Sequence, residues 1–94
     1  MRKLPRNNDR TREHQNLAAS TVFKARISKG FIDAAFGDGF LVEVWDFRTQ
    51  RLVHGERFKE LEKARRRLQE IKNDIDSMNL ERFQQVYVSR HPRG

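Results

Sequence analysis

Phe40-Leu41-Val42-Glu43-Val44-Trp45-Asp46-Phe47 is the stretch on which the fold turns. It is rich in aromatic and β-branched residues, which favour the pleated backbone, and predicts a strand. Arg48-Thr49-Gln50-Arg51 is a short polar connection, and Leu52 to Phe58 reads as a partner strand broken by Gly55. The two form an antiparallel hairpin joined by about four residues.

Toward the N-terminus, Val22 to Ile27 alternates, with Phe23, Ala25 and Ile27 on one face and Lys24 and Arg26 on the other. Period two again predicts a strand. Ser28-Lys29-Gly30 interrupts it, and Phe31 to Phe36 continues it after a bend or bulge. Phe36-Gly37-Asp38-Gly39 is the expected turn, because glycine accepts positive φ at little steric cost. Toward the C-terminus, Leu61, Ala64, Leu68, Ile71, Ile75 and Met78 draw one apolar stripe and predict a helix over Lys59 to Met78. Glu62–Arg66 and Lys72–Asp76 are spaced to pair on its outer side. Leu80 and Phe83 extend the helical pattern, and Val86-Tyr87-Val88 reads as a last short strand. The expected fold is α+β: a three- to four-stranded antiparallel sheet packed on one long C-terminal helix.

The chain has 94 residues, enough for one small domain, and its 20 Lys+Arg against 13 Asp+Glu give a formal charge of +7. Most of that charge is at the ends: residues 1–20 hold five basic and two acidic side chains, and residues 79–94 hold three and one. Residues 1–16 contain a single Leu and no aromatic residue, too little apolar surface to offset the entropy of ordering. The expected organisation is a basic, disordered arm over 1–20, one domain over 21–88 and a basic tail over 89–94. Basic ends on a nearly neutral body are suited to finding polyanions.

The absence of Cys excludes disulfides, thiolate nucleophiles and sulfur-ligated metals. No apolar run approaches the ~18 residues of a membrane span, and the N-terminus lacks a signal-type apolar core. The chain is therefore expected to be cytoplasmic, with no membrane partner. His14, His54 and His91 are too scattered to predict a metal site, and no serine lies in a nucleophile motif. Gly37-Asp38-Gly39 is too short to cradle a phosphate. No catalytic residue, metal or cofactor is expected, and the chain is read as a non-enzyme.

What remains is the sheet. In the central strand Phe40, Val42 and Val44 point one way, and Leu41, Glu43, Trp45 and Phe47 the other. One helix covers one face. If it covers the aliphatic set, Trp45 and Phe47 stand in the open beside Glu43. The first strand then adds Lys24 and Arg26 to that face, and the third adds Arg51 and Arg57. Such a surface suits nucleic acid, with cations on phosphates or base edges and rings on sugars or bases. Arg2, Lys3 and Arg6 of the arm would add electrostatic affinity. In the alternative, Trp45 and Phe47 are core, because a one-residue register slip inverts the faces. On the helix, Arg65-Arg66-Arg67 fans over about 200° between Glu62 and Glu70. It is either a solvated, internally paired surface or a contact for an acidic partner.

The order strand, turn, strand, then Phe58-Lys59-Glu60-Leu61-Glu62-Lys63-Ala64-Arg65-Arg66-Arg67-Leu68, resembles the arm-type DNA-binding domains of tyrosine-recombinase integrases. The likeness spans about residues 22–76 and rests on a β-β-β-α pattern with Phe58, Leu61 and Ala64 at the helix entry. It implies a three-stranded sheet inserted in the DNA major groove and backed by the helix. Two functions follow as expectations. The first is a small nucleic-acid-binding accessory protein, for DNA more than RNA. The second is an adaptor or peripheral subunit docking on a larger complex, such as a ribonucleoprotein, through Trp45 and Phe47 or the helix's outer face.

Overall fold

The computed structural model describes residues 17–88. Strands β1 (Phe23–Asp33), β2 (Gly37–Asp46) and β3 (Arg51–Phe58) form an antiparallel sheet in the order β1-β2-β3. Helix α1 (Leu61–Ser77) follows, then a short helix α2 (Leu80–Phe83) that runs into a π-helical turn over Gln84–Val88. The fold is α+β with three strands, and α1 is 17 residues long, about 25 Å. No helix among the described residues is long and apolar enough to cross a membrane.

Both hairpin turns are set by an aspartate at the strand end. Asp33 Oδ1 accepts from the Phe36 backbone N–H at 2.7 Å, which closes the first turn over 34–36 rather than over Phe36 to Gly39 as expected. Gly37, at φ +80°, then lets the chain leave that turn. Gly39 lies inside β2 instead, where a Cβ would come within 2.7 Å of the Phe58 carbonyl and 2.8 Å of the Phe36 ring. At the second hairpin, Asp46 Oδ1 accepts from the backbone N–H groups of Arg48 (2.9 Å) and Thr49 (3.3 Å). Strand β1 passes through Ser28-Lys29-Gly30 without a break, and its irregularity falls later, between Phe31 and Asp33.

Helix α1 lies on one face of the sheet. Phe23, Val42 and Val44 from the strands pack with Ala64, Ile71 and Ile75 from α1 and with Leu80, Phe83 and Tyr87 beyond it. Val42, Val44, Ala64 and Ile71 are fully buried, so the aliphatic set of β2 is the covered one. The expected Glu62–Arg66 and Lys72–Asp76 pairs do not form; the α1 pairs join Glu60 to Lys63 and Arg67 to Glu70, at a spacing of three.

The final strand expected at Val86-Tyr87-Val88 is a helical turn. Leu80, Phe83 and Tyr87 are spaced by three and four, so a helical backbone puts all three side chains into the core, where an extended one would scatter them. Asn79 starts the turn by accepting from the Arg82 N–H at 2.8 Å. Phe83 is stacked between Phe23, at 5.0 Å between centroids, and Tyr87, at 4.4 Å. The backbone just before residue 21 is tied to the segment after α1: Ala19 N–H donates to Met78 O at 3.1 Å, and Leu80 N–H donates to Leu17 O at 2.6 Å.

A polar seam fastens α1 to β3. Arg67 donates to both Glu56 oxygens, at 2.9 and 3.0 Å, and His54 Nε2 meets Glu56 Oε2 at 2.7 Å. Tyr87 O–H donates to Asp74 at 2.5 Å; burial first, and then that carboxylate, push the phenol up to about 12. Burial works against ionisation of Glu56, but the hydrogen bonds from Arg67 and His54 outweigh it and hold the carboxyl below its ordinary value. A carboxyl more acidic in the folded than in the unfolded chain adds stability above its unfolded pKa and loses it as pH falls through its folded one. Thermal unfolding followed by circular dichroism is therefore expected to show a Tm that is level above about pH 5 and falls below about pH 4. Glu56→Gln should flatten that fall, and an equally steep fall in the variant would contradict this role.

Candidate nucleic-acid interface

The face of the sheet turned away from α1 collects the alternate residues of each strand. Cross-strand register places Lys24 opposite Trp45, Arg26 opposite Glu43 and Ser28 opposite Leu41. On the other side of β2, Leu41 faces Arg57, Glu43 faces Gly55 and Trp45 faces Leu52. Trp45 is half-buried and Phe47 is 40 % exposed, so neither belongs to the core under α1.

Four residues singled out in the sequence come together here. Lys24 Nζ stands 5.2 Å from the Phe47 ring centroid, and Arg26 Cζ stands 5.3 Å from that of Trp45. Beside them lies a shallow depression of about 320 Å³ lined by Arg26, Trp45, Phe47 and Gln50. Cations over ring faces are held by the ring quadrupole, so both pairs place charge next to a flat apolar surface.

Glu43 organises this surface. It is only 7 % exposed although no helix covers it, because neighbouring side chains close over it. Its Oε1 accepts from Arg26 Nε at 2.8 Å and from Trp45 Nε1 at 2.9 Å, and its Oε2 accepts from Ser28 Oγ at 3.0 Å. Burial opposes its ionisation, but the three donors together hold the carboxyl below its ordinary range. It is therefore a carboxylate at neutral pH, fixing an indole and a guanidinium at once. The sequence placed Glu43 on this face and gave it no task. The parity of Ser28 with Lys24 and Arg26 was the available signal for its third donor.

The other expected residues are distributed differently. Arg57 is on the open face, but it donates to Asp33 at 2.8 Å and lies 5.3 Å from the Phe36 ring, at the far end of the sheet. Arg51 is opposite Asp46 rather than beside Trp45, because a bulge between the Val44 and Trp45 pairings inserts Val53 and shifts the alternation of β3. Leu52 takes the place beside Trp45 instead. Within the arginine triplet, Arg67 is committed to Glu56 and Glu70, while Arg65 and Arg66 are exposed with no ion pair among the described residues. Arg2, Lys3 and Arg6 lie outside the described residues.

No family model matches this chain, and no curated protein or solved structure shows a significant similarity to it.

Proposed function

We propose that this chain is a small, non-enzymatic accessory protein that binds duplex DNA through the open face of its sheet. The observation that carries this reading is the cluster of Lys24, Arg26 and Trp45 on the uncovered side of β1 and β2, with Phe47 just past the end of β2. Two adjacent strands are about 4.8 Å apart, and the B-form major groove, about 12 Å wide, admits such a ribbon. The deep, narrow major groove of A-form RNA does not, which favours DNA over RNA. Lys24, with no carboxylate partner among the described residues, would take phosphate, and the basic residues toward both termini would add affinity without sequence information. A cytoplasmic location fits this role.

Fluorescence anisotropy of the full chain with a labelled duplex tests it. Affinity is expected to fall steeply between about 50 and 200 mM salt, as released counterions require, and to be stronger for DNA than for the same RNA duplex. Binding that is absent at low salt, or indifferent to salt, would contradict it. The unpaired Arg65 and Arg66 on the outer side of α1 favour a second reading, contact with an acidic protein partner.

A further inference from the structure

We propose that Arg26 is the residue through which this face reads sequence, and that what it reads is guanine. The inference rests on the DNA-binding reading and adds the base.

Glu43 occupies only one edge of the Arg26 guanidinium, through Nε. The side chain remains 65 % exposed, and its two terminal nitrogens make no hydrogen bond among the described residues. They form a planar, end-on fork of donors. Its orientation is fixed by Glu43 below and by the Trp45 ring beside it. Glu43 is in turn fixed by Trp45 and Ser28, so the fork is supported from three sides.

Its charge says what the fork is for. Arg26 and Glu43 together are neutral, and a neutral pair is a weak attractor for phosphate. Lys24, on the same strand and with no ion pair among the described residues, serves phosphate better. A neutralised arginine keeps its directional donors, and these suit a neutral ligand with two acceptors side by side. On the major-groove edges of the base pairs only guanine offers this, in O6 and N7. Adenine and cytosine place an amino group where the fork needs an acceptor, and thymine offers one oxygen beside a methyl group. A guanidinium needed only for its charge would gain nothing from a buried carboxylate that cancels that charge.

The experiment uses the full chain, fluorescence anisotropy at one fixed salt concentration, and four probes. These are a duplex rich in G·C, an all-A·T duplex of equal length, the first duplex with every guanine replaced by 7-deazaguanine, and its guanine-bearing strand alone. The G·C duplex should bind at least about fivefold more tightly than the A·T duplex, and 7-deazaguanine, which lacks the N7 acceptor, should remove most of that preference. Arg26→Lys, which keeps the charge but loses the paired end-on donors, should bring G·C affinity down to the A·T value, and a preference that survives it would overturn the guanine contact. Tighter binding to the single strand than to the G·C duplex would overturn the duplex reading and the major-groove guanine contact with it. Equal wild-type affinity for the G·C, A·T and 7-deazaguanine duplexes would overturn the guanine contact and leave DNA binding standing. Failure to bind any probe would overturn both.

Discussion

Replacing Phe83 with alanine is expected to lower the melting temperature more than any other single truncation proposed for this domain. The ring is completely buried and lies between Phe23 and Tyr87, so its removal leaves a cavity bounded by two aromatic faces and the first strand. Truncating a buried phenylalanine costs about 3–5 kcal/mol, through lost transfer energy and the cavity together. A domain of this size has about 5–10 kcal/mol in total, near the low end of the range for globular proteins. Each kcal/mol moves Tm by about 4–8 °C at this length, so circular dichroism should show a fall of more than about 12 °C. A fall of only a few degrees would mean that the segment after Ser77 is peripheral to the core. That outcome would contradict its role in closing the helix side of the sheet.

The second large effect is on binding. The open face carries Lys24, Arg26 and Arg57 against Glu43 and Asp33, the partner of Arg57, a net of +1. The double substitution Lys24→Glu and Arg26→Gln makes that net −2 and leaves an amide donor for Glu43. Without the ammonium and the guanidinium, and with a new carboxylate facing the phosphates, duplex binding should weaken by about 100-fold or more at a temperature where circular dichroism shows the variant folded. The control is Arg65→Glu with Arg66→Glu on the outer side of α1, which alters total charge more but should weaken binding only a few-fold. Equal losses of affinity in the two variants would mean that net charge, not the sheet face, governs binding.

The parts of the fold legible in the sequence were those with a clean period. The stripe from Leu61 to Met78 located α1, and alternation in Phe23 to Ile27 and Phe40 to Phe47 located the paired strands but left open which face the helix covers. The misreadings have local physical causes. Val86-Tyr87-Val88 has strong strand propensity, but burial of Leu80, Phe83 and Tyr87 on one side requires a helical turn, and packing overrides propensity. The first turn came earlier than the glycines indicated, because the Asp33 side chain closes it and Gly39 is required by the nearness of Phe58 and Phe36.

The site was legible to the same degree. Lys24, Arg26, Trp45 and Phe47 could be assigned to one face from parity alone. Arg51 could not, because a bulge reverses parity beyond it and nothing in Leu52-Val53-His54 announces one. The role of Glu43 was hidden for another reason. Two of its three donors, Arg26 and Ser28, lie 17 and 15 residues away, and only the β1–β2 register brings them to it.

Chemical-shift mapping of the ¹⁵N-labelled full chain during titration with duplex DNA tests the central claim most directly. If the open sheet face is the DNA-binding surface, the amides of Lys24 to Ser28 and Leu41 to Phe47, with the Trp45 indole N–H, move together and saturate at one affinity. Perturbations confined to the neighbourhood of Arg65 and Arg66, or to residues outside 17–88, with those strands unmoved, would contradict it.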